Sequence, residues 1–183
     1  MPNYLISDPD DETVPLVVLR TSSNNTDLKS GVLVFDTWIS EQSDAVKSWI
    51  KTNNFPATSG TACLLPGDDG DLVSVVVGLG ESPSLWDWAA LPSALPEGTF
   101  QVQNDLTMDE ANELALGWAL ANYRFTRYRK KIDGLPSLVL PSTCDQAMLQ
   151  KMANAHYLVR DLINTPASDM GPEELANAAK QLA

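Results

Sequence analysis

Three scarcities in this sequence of 183 residues exclude whole classes of protein, since it has two cysteines, one histidine and no long apolar run. The two cysteines, Cys63 and Cys144, are too few for a disulfide-built domain, and unpaired thiols are typical of the reducing cytoplasm. No stretch approaches the ~20 apolar residues that a membrane-spanning helix needs. The N-terminus is acidic, whereas a secretory signal combines a basic start with an apolar middle. We therefore expect a cytoplasmic protein that is neither secreted nor inserted in a membrane.

Basic residues are also scarce, because twelve lysines and arginines stand against 24 aspartates and glutamates and leave a net charge of −12. Residues 1–123 contain eighteen acids and four bases, a net charge of −14, whereas residues 124–183 carry +2. Such a chain is repelled by nucleic acid phosphates and by anionic lipid, so neither is an expected partner. Five of the bases lie within residues 124–131. They fit a solvated helix end, a patch for a phosphate or acidic partner, or an ion-paired contact between domains.

No group of residues in the sequence forms a convincing catalytic or metal-binding motif. The single histidine, His156, lies in a predicted helix one position from its apolar stripe, where a surface or packing role is the usual one. Asp109, Glu110 and Glu113 fall in the first turns of another predicted helix, where negative charge is favourable in itself. The turn at residues 78–80 is shaped for a phosphate but lacks the third glycine of the dinucleotide fingerprint and the lysine of a P-loop. We predict no catalytic and no metal-binding residue in this chain.

What the sequence does contain is an alternation of strand and helix patterns. Strands are predicted at residues 14–20, 32–35, 61–65, 72–79, 99–103 and 135–140, and helices at 43–51, 84–91, 107–128, 143–163 and from 172 onward. The turn at residues 66–71 is dense in proline, glycine and aspartate and predicts a hairpin between two of the strands. This pattern predicts an α/β fold, a mixed β-sheet between layers of helices.

Three further features of the sequence carry structural expectations. Gly117 costs about 1 kcal/mol relative to alanine in the middle of the 107–128 helix, which suggests a close backbone approach there. The first twelve residues are predicted to form a frayed acidic tail. An apolar stripe runs along one face of the 143–163 helix and consists of Met148, Met152, Ala155, Val159 and Leu162.

The segment at residues 159–172, VRDLINTPASDMGP, resembles the segment that joins the N-terminal domain to the catalytic domain in the leucyl (cytosol) aminopeptidase family of metallopeptidases. The matching residues are the arginine–aspartate pair, the Asn-Thr-Pro stop and the proline that opens the next helix: Arg160, Asp161, Asn164, Thr165, Pro166 and Pro172. Ser168 departs from the asparagine expected there, and Gly171 replaces the commoner threonine cap. Glycine is a tolerable cap, so the second departure is mild.

Two further segments support the resemblance, which covers residues 60–183. Residues 117–128 are similar to a family helix motif through Gly117, Tyr123, Phe125 and Tyr128. The strand and turn at residues 75–80 are similar as well, although Glu81 follows where the family has a lysine.

The resemblance implies a flexible N-terminus at residues 1–12, an N-terminal domain similar to the macro fold at 13–142, and linker helices at 143–183 that lead to a catalytic domain. In the family that domain removes N-terminal residues, often leucine, from peptides, and two divalent metals, zinc or manganese, activate water and polarise the scissile carbonyl. Its Asn-Thr-Asp-Ala-Glu-Gly-Arg motif is absent from this sequence, so no catalytic or metal-binding role passes to a residue here. We expect the fragment alone to be inactive and to hold no cofactor.

The resemblance also implies partners, namely the missing catalytic domain and the sister subunits of a homo-hexamer, with peptide substrate bound only by the full-length enzyme. Some family members bind DNA through this region, but the charge of −14 over residues 1–123 argues against that activity here.

Two alternatives remain open from the sequence. A free-standing macro-like module would bind an ADP-ribose-type ligand, with residues 78–80 and the bases of 124–131 as its only support. An interaction protein would instead pair through the apolar stripe of the last helix, which consists of Leu175, Ala178, Ala179 and Leu182.

Overall fold

The structure is a computed structural model that describes residues 4–21, 33–80, 83–129 and 134–182. Its strands are β1 (Leu5–Ile6), β2 (Val14–Arg20), β3 (Leu33–Val34), β4 (Thr61–Pro66), β5 (Leu72–Gly78), β6 (Thr99–Val102) and β7 (Ser137–Val139). Its helices are α1 (Phe35–Ser40), α2 (Asp44–Thr52), α3 (Leu85–Ala94), α4 (Met108–Asn122), α5 (Gln146–Asn164) and α6 (Pro172–Leu182). None of the helices in these ranges is both long and apolar enough to cross a membrane.

The strands join in one mixed sheet, which confirms the predicted fold class. Within the described ranges the order is β1-β7-β6-β2-β5-β4, and β3 pairs with the end of β2 beside this path. The pair β4–β5 is antiparallel, whereas the other neighbouring pairs are parallel. The predicted hairpin is present, and its turn is closed by a hydrogen bond of 2.8 Å from Gly67 N to Asp71 O.

The sheet buries a separate apolar cluster on each face, because side chains alternate along each strand. Val75 and Val77 of β5 point to the face covered by α3, α4 and α5, where Trp118 is also fully buried. Val76, between them, points to the opposite face and joins the cluster of Trp38, which α1 contributes. The chain therefore forms three layers, with the central strand segments buried from both sides.

Helix α4 crosses the centre of the first layer, and both its start and its contact with α3 follow from its sequence. A capping box fixes the start, since Thr107 and Glu110 each bond the other's backbone N–H. A Cβ added to Gly117 would lie 2.8 Å from Leu85 O and 3.0 Å from Ala89 N, both on α3. The close backbone approach predicted at Gly117 is therefore confirmed.

The prediction that this helix continues to residue 128 is wrong, because α4 ends at Asn122 and Tyr123 is already extended (ψ 130°). The carbonyl groups of the last helical turn have no partners within the helix. Side chains satisfy them instead, beginning with Arg124, whose Nη1 donates to Ala121 O at 2.7 Å.

Two smaller expectations also need correction. The prediction that residues 1–12 form a frayed tail is wrong for Leu5 and Ile6, because these residues form β1, which pairs with β7 in parallel, and Leu5 is buried. The strand predicted at 32–35 contains β3 but does not extend to Phe35, where α1 begins, and Val32 lies outside the described residues. The predicted apolar stripe of α5 is divided between surface and core: Met148 and Val159 are about half exposed, whereas Met152 packs against the core cluster beside the buried Leu149 and Ala153.

Candidate functional site at the end of helix α4

The residues of the predicted linker converge on the C-terminal end of α4, with Tyr123 at the centre. Arg160 Nη1 donates to Leu120 O at 2.7 Å, and its guanidinium carbon lies 5.2 Å from the centre of the Tyr123 ring. The Tyr123 hydroxyl donates to Asp161 Oδ1 at 2.6 Å and accepts from Asn164 Nδ2 at 3.2 Å. Three of the six predicted linker residues, all on α5, thus contact the same tyrosine, Tyr123. We call Arg160, Asp161, Asn164 and Tyr123 the junction cluster.

A second pair of tyrosines extends these contacts toward the N-terminus. Tyr157 donates to Ala119 O at 2.5 Å, and Tyr4 lies 3.4 Å from the same carbonyl oxygen. The two hydroxyl groups also contact each other, and the rings of Tyr123 and Tyr157 lie 5.2 Å apart. Tyr4, which directly precedes β1, and Tyr157 of α5 thus complete the hydrogen bonding at the end of α4. A helix end without such partners would leave buried carbonyl groups unsatisfied.

The turn between α5 and α6 is held by the other predicted linker residues and by two residues of the 124–129 segment. Thr165 is buried, and its Oγ1 donates to Asp161 O at 2.7 Å and accepts from Arg127 Nη1 at 3.4 Å. The Tyr128 hydroxyl donates to Asp169. Pro166 follows Thr165 where α5 has ended, which agrees with its predicted role as a helix stop.

Helix α6 begins as predicted, with Pro172 at its first position. Gly171 precedes it, its N–H bonded to Glu174 Oε2 at 3.0 Å and its carbonyl to Leu175 N at 3.1 Å. Glu174 therefore makes the half of a capping box in which the N3 side chain accepts from the backbone N–H of the N-cap residue, whereas the half that a threonine side chain would make is absent because residue 171 is glycine.

The surroundings of the site's tyrosines raise the pKa of each hydroxyl above its ordinary value, so the neutral form is favoured further. Burial raises the pKa of Tyr123, and its bond to Asp161 raises it further. Burial likewise raises the pKa of Tyr157 and, more strongly, that of Tyr4. At the exposed end, the hydrogen bond to Asp169 raises the pKa of Tyr128 and lowers that of the aspartate. Each hydroxyl can thus act as a hydrogen-bond donor throughout the physiological range.

Helices α5 and α6, which form the predicted linker, carry several apolar side chains that are exposed in the part of the chain that the structure describes. On α5, Val159 is 53% exposed and Ile163 is 76% exposed, and on α6 Leu175 is 52% exposed. Of the remaining predicted α6 residues, Ala178 is partly buried and Ala179 is exposed, while the side chain of Leu182 lies outside the described residues. We call Val159, Ile163, Leu175, Ala178 and Ala179 the outer linker face.

The sequence features that favoured an ADP-ribose-type ligand have structural explanations. A Cβ on Gly78 would lie 2.2 Å from the backbone carbon of Ala57, so close packing accounts for that glycine. Arg124 and Arg127 bond to the end of α4 and to Thr165, which matches the expectation of a helix end. Lys130 and Lys131 lie outside the described residues.

The groups that could perform acid–base, thiol or metal chemistry are dispersed. Within residues 4–21, 33–80, 83–129 and 134–182, no three His, Cys, Asp or Glu side chains come close enough together to hold a metal ion. Cys63 and Cys144 are free, and burial raises the pKa of both thiols. His156 is exposed on α5.

Sequence reasoning singled out Tyr123 and the predicted linker residues, which the structure brings together at the end of α4, but it missed Tyr4, Tyr157 and Asp169. Tyr157 lies three positions before Arg160 and therefore on the same side of the helix. That spacing is a signal that could have found it, whereas nothing local indicates the partner of Tyr4, 153 residues away.

Comparison with known proteins gives a consistent result. A family model described as M17 aminopeptidase, N-terminal domain, matches residues 32–141. A probable cytosol aminopeptidase of Brucella anthropi is 31% identical over 140 residues, which are 59% of this chain and 27% of that protein. One of Chlamydia muridarum is 28% identical over 162 residues, or 71% of this chain and 32% of that protein.

Solved structures agree with these sequence matches. The cytosol aminopeptidase from Coxiella burnetii superimposes with a TM-score of 0.79 and 29% identity, over 99% of this chain and 37% of that one. The bottromycin maturation enzyme BotP, solved in complex with Mn, has a TM-score of 0.62 and 21% identity, over 94% of this chain and 36% of that one, and shares the fold. The matched part of the chain thus spans about a third of each of these proteins or less.

Proposed function

The chain belongs to the M17 aminopeptidase family, whose N-terminal domain it represents, and we propose that it is the assembly and regulatory domain of a metal-dependent leucyl aminopeptidase. In this proposal residues 13–142 are the domain itself and residues 143–183 are the linker to the catalytic domain. The matched proteins are about three times longer than the segment that this chain matches. The activity of the whole enzyme is therefore part of the proposal and does not follow from family membership alone.

The single observation that carries the proposal is the junction cluster. Arg160 and Asp161 are adjacent residues of α5. Arg160 donates a hydrogen bond to Leu120 O of α4, and Asp161 accepts one from the hydroxyl of Tyr123 at the end of α4. Two bonds from adjacent residues fix both the rotation of α5 and its position along its axis. Helix α5, held in this way, brings the chain that follows it to a defined position on the domain, as an assembly domain requires.

The catalytic groups and the two divalent metals, zinc or manganese, would belong to the catalytic domain of the parent enzyme. That domain and the sister subunits of a homo-hexamer are the proposed partners, and the location is the cytoplasm, in keeping with the name cytosol aminopeptidase carried by the relatives. The outer linker face, with Leu182, is the surface that we propose contacts the catalytic domain. Its exposed apolar side chains support this, because exposed apolar patches mark interaction surfaces.

The proposal is tested by assaying the chain with a leucyl chromogenic peptide substrate in the presence of manganese or zinc. We expect no turnover above buffer, while the Coxiella burnetii enzyme under the same conditions serves as the positive control. Turnover by the purified chain that survives a second purification step would contradict the proposed non-catalytic role.

A further inference from the structure

We propose that the outer edge of β4 binds an extended basic segment of a partner protein, which adds to the sheet as a further strand. This mode of recognition is β-strand addition, in which backbone hydrogen bonds supply affinity and pockets for alternate side chains supply specificity. The inference is independent of the aminopeptidase proposal, since β4 lies on the far side of the sheet order from β1 and β7.

Strand β4 is the terminal strand of the sheet order and pairs with β5 alone among the described residues. It has six residues, a length at which natural proteins usually block an open edge. One blocking device is present, because Pro66 has no N–H to offer, and it stands at the last position of the strand. The five residues before Pro66 keep their N–H groups, of which those that point away from β5 are available for pairing.

The direction of the backbone groups on β4 follows from one contact. Trp49 Nε1 donates to Leu64 O at 2.8 Å, so this carbonyl points away from β5. In an antiparallel pair the N–H and C=O of one residue point to the same side, and the side alternates along the strand. The N–H of Leu64 and both backbone groups of Ala62 therefore face away from β5, where a further strand can bond to them.

A groove lies beside this edge and can receive side chains of an added strand. Its volume is about 480 Å³, and it is lined by the α2 residues Trp49 and Asn53, by Phe55 and Pro56, and by residues 61–64 of β4. Trp49 and Leu64 are each about 40% exposed. Because alternate residues of a strand point to one side, a segment with apolar residues at every second position fits this groove.

Charge selects the kind of partner. The turn that follows β4 carries Asp68, Asp69 and Asp71, all exposed, and the whole chain has a net charge of −12. A second copy of this chain would bring the same acidic turn and the same net charge to the edge, which disfavours self-pairing. Lysine or arginine at the end of the added strand would lie near the acidic turn, so the occupant is a basic segment.

The test uses a fluorescein-labelled synthetic peptide of alternating valine and threonine with lysines at both ends, and its binding is followed by fluorescence anisotropy. A matched peptide has glutamate in place of every lysine. Leu64→Pro removes the outward N–H of the edge, and Leu64→Val keeps it as the control. We expect the basic peptide to bind the wild type and Leu64→Val alike, and at least about tenfold more weakly to Leu64→Pro, which loses the bond and gains a clash. We expect the acidic peptide to bind at least about tenfold more weakly than the basic one.

Amide exchange in the unaltered chain provides a second readout that does not depend on the folding of Leu64→Pro. The peptide should slow exchange of the Leu64 amide at least about tenfold and leave the Cys63 amide, which faces β5, unchanged. Failure of the basic peptide to bind, equal binding to both Leu64 variants, or no protection at Leu64 would overturn the proposal. So would a concentration-dependent dimer that Leu64→Pro abolishes, which would assign the edge to a second copy.

Discussion

Replacing Arg160 by methionine is the sharpest perturbation of the junction cluster. The substitution keeps an unbranched side chain of good helix propensity but removes the guanidinium that donates to Leu120 O and lies over the Tyr123 ring. A hydrogen bond from a charged donor contributes about 1.5–3 kcal/mol and a partly exposed cation–π contact about 0.5–1 kcal/mol. Because contributions within one cluster are not additive, we expect the free energy of unfolding to fall by about 2 kcal/mol.

The assay is urea unfolding followed by circular dichroism, together with thermal unfolding, where a loss of this size corresponds to about 4–8 °C for a chain of this length. Lys151→Met is the matched control, since Lys151 is exposed on the same helix, and we expect it to change stability by less than about 0.5 kcal/mol. Arg160→Lys, which keeps the charge without the planar fork, should fall between the two. A loss for Arg160→Met that does not exceed that of Lys151→Met would refute the reasoning.

Three further predictions concern packing, pH and the outer linker face. Gly117→Ala should lower the free energy of unfolding by about 1–3 kcal/mol, because the new methyl group meets the backbone of α3. The free energy of unfolding should fall as the pH rises above 10, the ordinary tyrosine pKa. Burial raises the pKa values of Tyr4 and Tyr157 in the folded chain, so both hydroxyl groups ionise at a lower pH in the unfolded chain, which is thereby favoured. Ile163→Asp should leave the stability of the chain within about 0.5 kcal/mol, whereas Leu149→Asp should unfold it, since only Leu149 is buried.

Each of these predictions has its own control. Gly171→Ala is the comparison for Gly117→Ala, because only the flexible Glu174 side chain lies near that position, and equal losses would argue against backbone crowding. The double variant Tyr4→Phe, Tyr157→Phe should flatten the decline at alkaline pH, and an unchanged slope would assign the decline to other groups. Unfolding by Ile163→Asp would show that the outer linker face contributes to the domain's own core.

The sequence was most informative where structure is determined locally. The capping box of Thr107 and Glu110 located the start of α4 because both groups lie within one helical turn. The hairpin at residues 66–71 was predictable for the same reason, since turn residues set their own backbone angles.

The end of α4 was not predictable, because its carbonyl partners are remote in the sequence. Leu120 O is bound by Arg160 and Ala119 O by Tyr157, about 40 positions away. Nothing at residues 119–128 itself signals these contacts, and the helical pattern of the segment continues past the true end. β1 was missed for a related reason, since two residues pair only because β7 is available beside them.

The buried face of α5 shows a limit of periodicity itself. The helix has apolar residues on two sides, one with Leu149 and Ala153 and the other with Met148 and Val159. Both sides repeat at helical spacing, so the pattern does not distinguish the side that packs on α4 from the side that is left exposed. The resemblance identified Arg160 and Asp161 as linker residues, but the contacts that give them a role are visible only in three dimensions.

Amide hydrogen exchange across residues 146–182 tests most directly whether the linker is anchored at the end of α4 and presents a free outer face. The anchored part, from Tyr157 to Asn164, should exchange nearly as slowly as the core of α4, because its contacts break only when the domain opens. Helix α6, which has no buried residue among those described, should exchange several orders of magnitude faster in the isolated chain. Fast exchange in residues 157–164, or protection of α6 equal to that of α4, would contradict this account.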